Sequence, residues 1–227
     1  MDREQSEVKR IVLALVTGAT GCLGREIIRQ LTARGDQVRA LCRRADDLKL
    51  PNGSFDGDTD APSEIAVADV RDAAAVDQAT RGVEAVYHTA GLAGMWGSWK
   101  VYRDTNTIGT RNVIEACRRN GVRRLIYTSS PSVVFSETDQ CGADESLPYT
   151  KRWLCHYPKS KALAEQQVLA ANNQNGLKTC ALRPHLIWGP GDRQLLPRLF
   201  RRAASGRLWR VGNGSNEIDI VYVDNAA

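Results

Sequence analysis

The sequence predicts an α/β fold in which a doubly wound parallel sheet carries helices on both faces. Two observations lead there. Short apolar runs alternate along the chain with segments of helical period, and the first run passes into a helix through a glycine-rich turn. A third observation agrees: the runs are continuously apolar rather than alternating, as strands buried on both faces require.

Residues 11–16 form the first apolar run and enter Thr17-Gly18-Ala19-Thr20-Gly21-Cys22-Leu23-Gly24. Leu23, Ile27, Ile28 and Leu31 then share one helix face, and Gly35 stands where a helix-ending C′ glycine belongs. Residues 38–42 are a second strand, and the Gly-, Asp-, Pro- and Ser-rich stretch 51–63 is a mobile surface loop. A third strand at 65–67 ends at Asp69, and 72–80 is a short helix. A fourth strand at 85–87 leads to His88-Thr89-Ala90-Gly91; 102–119 is helical, 125–128 a fifth strand, 158–171 a helix and 179–182 a sixth strand. Strands separated by helices of this length imply right-handed crossovers.

A glycine turn from strand to helix lets backbone approach a pyrophosphate, whose charge the helix N-terminus stabilises. The spacing here is Gly18-x-x-Gly21-x-x-Gly24. A fold of this kind that selects NAD places a carboxylate at the end of its second strand to bind the ribose 2′-hydroxyl. Cys42 stands there instead, followed by Arg43 and Arg44, so no carboxylate repels a 2′-phosphate and two guanidinium groups are at hand to bind it. NADP is therefore the expected cofactor, with NAD the alternative.

Composition excludes several other classes. The chain has 227 residues, 42% hydrophobic and 25% charged, with no apolar run long enough for a membrane span. Met1-Asp2-Arg3-Glu4 is polar and leads directly into a strand, which does not resemble a secretory signal. The six cysteines are scattered without a CxxC pair, against a zinc site or disulfide framework and in keeping with a reduced cytoplasmic setting. The three histidines are equally dispersed, so no metal is expected. The net charge of +5 comes largely from arginines in helical segments and is read as solvated helix faces rather than a nucleic-acid surface.

The chain resembles the extended short-chain dehydrogenases/reductases, the superfamily of Rossmann enzymes that includes nucleotide-sugar epimerases and 3β-hydroxysteroid dehydrogenases. The residues that carry the resemblance are the glycine triplet, Asp69-Val70, His88–Gly91, Asn106, Tyr127-Thr128-Ser129-Ser130, Tyr157-x-x-x-Lys161, and Arg183-Pro184 ahead of Trp188-Gly189-Pro190-Gly191. They span nearly the whole chain in the family's order. The resemblance implies a catalytic set of Ser130, Tyr157, Lys161 and Asn106. It implies a cofactor set of Gly18, Thr20, Gly21, Cys22, Leu23, Gly24, Arg43, Arg44, Asp69, Val70, Thr89, Ala90, Gly91, Tyr157, Lys161, Pro184 and Ile187. Asp69 either binds adenine or caps its loop, Asn106 either supports a proton relay or bends its helix, and His88 is expected along the cofactor cleft.

The chemistry of the pair can be argued separately. Tyr157 and Lys161 are four apart on a helix, one turn apart on one face. A nearby ammonium favours a phenolate and is expected to lower the tyrosine pKa from near 10. Tyr157 would protonate a developing alkoxide and Ser130 would polarise the same oxygen; Ser130 is preferred to Ser129 by the resemblance. The resemblance also gives Lys161 the nicotinamide ribose hydroxyls.

For the substrate, Trp96 and Trp99 follow the fourth strand and either offer an apolar surface or pack the loop. The stretches 127–135 and 183–191 look closest to the 3β-hydroxysteroid and sterol-4-carboxylate 3-dehydrogenases and to bacterial 3-oxo acid reductases. A small-molecule, hydrophobic 3-hydroxy/3-oxo acid or steroid-like substrate is expected, its carboxylate pairing with Arg183 or Arg193. Alternatives are an epimerase/dehydratase, a dihydroflavonol-type reductase, or a dinucleotide-sensing protein without turnover. Residues 1–183 are expected to be the Rossmann domain and 184–227 the start of a substrate lobe that is cut short near Asp224, leaving apolar surface that would favour association, for instance as a homodimer.

Overall fold

The computed structural model describes residues 11–48, 61–136, 138–210 and 212–227. Six strands, β1 (Leu13–Thr17), β2 (Gln37–Cys42), β3 (Glu64–Val67), β4 (Ala85–His88), β5 (Arg124–Thr128) and β6 (Lys178–Leu182), form one sheet in the order β3-β2-β1-β4-β5-β6. Every neighbouring pair is parallel. The order reverses between β1 and β4, and the crevice beyond the carboxyl ends of those strands is where such sheets bind ligands.

Helix α1 (Cys22–Ala33) covers one face, burying Ile27, Ile28 and Leu31 against Ala14, Val16, Val38 and Ala40. Each fully buried aliphatic side chain of this kind contributes about 1.5–3 kcal/mol. Its end follows the reading of Gly35: at φ +83° this residue lets Asp36 N–H reach Leu31 O (3.0 Å) and its own N–H reach Thr32 O (2.8 Å). Helix α2 (Ala73–Thr80) is capped by Asp72, whose Oδ1 accepts from the N–H groups of Ala74 and Ala75.

The helix expected over 102–119 is three pieces. They are α3 (Trp99–Tyr102), a π-helical turn (Arg103–Ile108) and α4 (Gly109–Arg119). Together with α5 (His156–Ala170), α2 and α4 enclose the larger core, in which Leu15, Val86, Leu125, Tyr127, Val113 and Val168 meet. Helix α5 begins two residues before its expected start, so Tyr157 lies in its first turn.

Beyond the sheet come a two-stranded parallel pair, β7 (Ile187–Trp188) with β8 (Val221–Tyr222), and helices α6 (Leu196–Ala204) and α7 (Val223–Ala226). Most of the expected loop 51–63, and the residues ahead of position 11, lie outside the described residues. Among the described residues no helix is long and apolar enough to cross a membrane.

Candidate active site

The turn after β1 folds back tightly. Gly21 N–H bonds to Gly18 O at 2.9 Å, and Gly18 sits at φ +69°. A Cβ on Gly18 would lie 2.7 Å from Ala90 N, and one on Gly24 would lie 2.3 Å from Gly18 O. Both glycines are thus required by backbone contacts, one with the turn after β4 and one within the loop itself. Helix α1 begins at Cys22 with no acidic residue in its first turn and no side-chain cap on Gly21, so its first N–H groups lack intrahelical acceptors. That is a site for an anion.

A cavity of about 780 Å³ opens here, within the range of sites that hold drug-sized ligands and cofactors. Gly18, Thr20, Gly21, Cys22, Leu23 and Gly24 line one side, Thr89, Ala90 and Gly91 the floor, and Cys42, Arg43, Asp69 and Val70 the end beyond β2 and β3. Ser129, Ser130 and Tyr157 form the opposite wall, and Pro184 and Ile187 also reach it. These surroundings fit a dinucleotide: a glycine cradle that side chains would fill, an uncapped helix N-terminus, and a cation without a carboxylate at the end of β2.

Not every expected residue arrives. Arg44 is outside the cavity, its guanidinium paired with Asp47 (Nη2–Oδ1 2.8 Å, Nε–Oδ2 3.1 Å). Arg43 lines the cavity and makes no ion pair among the described residues. Asp69 is on the wall, but Arg71 grips both its oxygens (2.9 and 2.7 Å) and so holds its carboxyl below the ordinary range. Trp96 is 88% exposed, and Trp99 stacks near His156 and under Lys159. Neither tryptophan reaches the cavity; Leu92, Val101 and Thr105 from the same stretch do, because the chain turns into α3 with Tyr102 buried beneath. Arg183 is engaged by Glu165 (Nη2–Oε1 2.6 Å) and does not line the cavity.

His88 is not on the cleft. It is fully buried between Thr17 Oγ1 (2.7 Å from Nδ1) and Thr110 Oγ1 (2.9 Å from Nε2). Thr110 gives its own proton to Asn106 O (2.6 Å), so Nε2–H donates to Thr110 and Nδ1 accepts from Thr17. Burial, aided by Lys161, pulls the imidazole pKa down to about 3 and keeps it neutral.

Asn106 sits inside the π-helical turn, buried, with Nδ2 donating to Leu92 O (3.0 Å) and Ser160 Oγ (2.9 Å) and Oδ1 accepting from Leu92 N–H (2.7 Å). Its donors are occupied in bracing the turn after β4 against α5, and it does not line the cavity. Such π-turns are frequent near functional sites.

Tyr157 is half-buried at the cavity wall, with the Tyr102 ring edge-on at 6.5 Å. Burial raises its pKa, and the hydroxyl of Ser130 offsets this only in part. The expected lowering by Lys161 is not found. Lys161 instead donates to Thr128 O (2.6 Å), with its Nζ 4.2 Å above the Tyr127 ring. It is buried, and desolvation depresses its pKa to about 7 against the opposing pull of Glu165. Behind it Glu165 is 1% exposed and held by Arg183 and by Tyr149 OH (2.9 Å). Burial pushes the Glu165 carboxyl up, but these bonds outweigh it and keep the pKa low.

The sequence offered Gly191 as part of a motif and Arg193 as a partner for a substrate carboxylate, but not the cavity-lining role of the segment Gly191–Leu195. Cys22 Sγ donates to Pro190 O at 3.2 Å and ties this segment to the glycine loop; burial, then Asp192 and Glu26, raise the thiol to about 11. The run Gly189-Pro190-Gly191-Asp192 was the available signal, since Asp192 accepts from the N–H groups of Gln194, Leu195 and Leu196 as a helix cap does.

A doubly wound sheet, a glycine turn at its switch point and a Tyr-x-x-x-Lys helix on the facing wall define the class of short-chain dehydrogenase-like dinucleotide-binding proteins. The chain belongs to the 3-beta hydroxysteroid dehydrogenase/isomerase family, whose model matches residues 15–227. It is 48% identical over 218 residues to a 2-alkyl-3-oxoalkanoate reductase of Stenotrophomonas maltophilia, covering 94% of this chain and 62% of that protein. It is 37% identical over 219 residues to a 3 beta-hydroxysteroid dehydrogenase/Delta 5-->4-isomerase of Mycobacterium tuberculosis (93% and 57%). The chain thus spans about three fifths of the length of these curated relatives. Among solved structures it resembles a dTDP-glucose 4,6-dehydratase of Streptomyces venezuelae with NAD bound, at TM-score 0.77 and 26% identity, over 93% of this chain and 68% of that one.

Proposed function

We propose that the chain is the cofactor-binding part of an NADP(H)-linked oxidoreductase that interconverts a ketone and a secondary alcohol on a hydrophobic 3-oxo or 3-hydroxy acid. The observation that carries this reading is the placing of Tyr157 and Ser130 on the wall opposite the glycine loop, across one cavity. Residues 1–183 are the cofactor domain and 184–227 the beginning of the substrate side. Its similarity to a 2-alkyl-3-oxoalkanoate reductase favours the 3-oxo acid over a sterol. Cys42 and Arg43 at the end of β2 favour NADP over NAD.

A bound nicotinamide supplies the hydride for reduction and accepts it in oxidation. Tyr157 gives its hydroxyl proton to the oxygen that becomes the alcohol, and its raised pKa suits a donor that stays protonated until that oxygen gains charge. Ser130 Oγ, 2.8 Å from Ser132 Oγ, is free to turn its proton toward the same oxygen. Lys161 uses one donor to hold Thr128 O and so fixes the end of β5 that presents Ser129 and Ser130. Lys161 is buried and does not itself line the cavity; its Nζ lies 3.8 Å from the place a Cβ on Gly91 would occupy, behind a residue that does.

NADPH consumption with a series of 2-alkyl-3-oxo acids tests the reading. Tyr157→Phe should lower kcat about 100-fold or more while NADPH still binds. Binding of NADPH without oxidation on any 3-oxo acid or ketone would exclude the reductase and leave a sensing protein.

A further inference from the structure

We propose that Arg193, on the segment that crosses the mouth of the cavity, is the second guanidinium of a 2′-phosphate site that Arg43 begins. The inference rests on the reading of the cavity as a dinucleotide site and goes beyond it by assigning the discriminating residue to the part of the chain that follows the sheet.

Four observations carry it. Arg43 and Arg193 line the same cavity, one from the end of β2 and the other from the segment ahead of α6. Neither makes an ion pair or side-chain hydrogen bond among the described residues. The carboxylates that could neutralise them are otherwise engaged: Asp47 by Arg44, and Asp192 by the N–H groups of Gln194, Leu195 and Leu196. The Cys22–Pro190 bond (3.2 Å) and the packing of Gly191 against Cys22, where a Cβ on Gly191 would be 3.6 Å from Cys22 Cα, hold the segment in place.

The position along the cofactor follows from a third arginine. Arg25 Nη1 donates to Leu48 O (2.6 Å), and its other groups bond to Asp47 O and Thr20 O, which ties the glycine loop to the turn after β2. Arg193 is close enough to Arg25 to lower its pKa, second only to burial, and it also contributes to the lowered pKa of Asp47. Arg193 thus follows a segment anchored on Cys22, in the loop that Arg25 ties to the turn after β2, and the adenine-side ribose lies near that turn in such sheets. Two like charges that line one cavity favour an anionic ligand there. Free donors of this kind bind phosphate through charge-assisted hydrogen bonds. Arg44, expected from the sequence for this role, is replaced by a residue 149 positions later in the chain.

Dissociation constants for NADPH, NADH, 2′,5′-ADP and 5′-AMP, measured by titration calorimetry on the whole chain and on Arg193→Gln, test the proposal. Arg193→Gln should weaken NADPH and 2′,5′-ADP about tenfold and leave NADH and 5′-AMP within about twofold. Arg193 is exposed, so an unchanged Tm accompanies the variant. Equal weakening of NADPH and NADH would assign Arg193 to the pyrophosphate and overturn the proposal, as would no change in either. A wild-type chain that binds neither cofactor would remove the dinucleotide reading itself, a result distinct from both.

Discussion

Helices α1 and α6 carry the same kind of amphipathic pattern and end in opposite surroundings. α1 buries Gly24, Ile27, Ile28 and Leu31 against the sheet. α6 buries nothing; Leu199 is 40% exposed and Phe200 67%. The difference is one of partner, not of pattern, since an apolar stripe is stabilising only where another element meets it. It teaches that the cofactor cavity is built from two kinds of material. Its floor and glycine wall belong to a close-packed core, whereas its mouth, Gly191–Leu195, is held by the Cys22 thiol on Pro190 O and by the Asp192 carboxylate on the N–H groups after it.

Substitutions on either side should therefore differ steeply in cost. Gly24→Ala is expected to be the most severe, because its Cβ would lie 2.3 Å from a backbone oxygen that cannot move without opening the loop. A loss of about 3 kcal/mol or more in chemical denaturation, with loss of NADPH binding, is the expected result. Ile28→Ala, in the α1 core, should cost about 2–4 kcal/mol by the same measurement.

Glu165→Gln comes next, at about 2 kcal/mol near neutral pH, because it leaves Arg183 without its charge partner; the partial exposure of Arg183 tempers the loss. The carboxyl pKa is depressed in the folded chain, so its contribution is complete above the ordinary carboxylate range and disappears as pH falls through the lower folded value. Acid titration of stability should lose part of its slope in the variant.

Lys161→Met should alter pH dependence more than stability at a single pH. The folded pKa is about 7, against about 10.4 for an unfolded lysine. Between those values the unfolded chain holds the extra proton, so wild-type Tm should rise from pH 7 toward pH 10, and Met should flatten that rise. The smallest effect belongs to α6: Phe200→Ala should stay within about 0.5 kcal/mol. A cost comparable with Ile28→Ala would show that α6 is packed in solution and would break the contrast between the two helices.

Much of this architecture was legible in the chain. All six sheet strands, the glycine turn, the Gly35 end of α1 and the Asp72 cap depend on period and turn chemistry over a few residues, which neighbouring positions specify. The Tyr157/Lys161 spacing likewise placed both on one helix. Less legible was the π-helical turn around Asn106, which depends on Ser160 and Leu92 arriving from elsewhere. The pKa direction of Tyr157 was misread for a similar reason: spacing places an ammonium nearby, but the carbonyl of Thr128 takes it.

The arginines divide along the same line. That cations gather around an anion site could be read from the residue types at the end of β2. Which of them remain available could not, because availability is decided by the carboxylates that folding brings alongside. Arg44 meets Asp47 and Arg183 meets Glu165, whereas Arg43 and Arg193 line the cavity with no ion partner among the described residues. Local sequence determined the sheet, its loop and the chemical types at the site, since those are set by interactions between near neighbours. The tertiary structure alone decided which charges are neutralised and which face the cavity, since Coulomb pairing depends on distance in space and not along the chain.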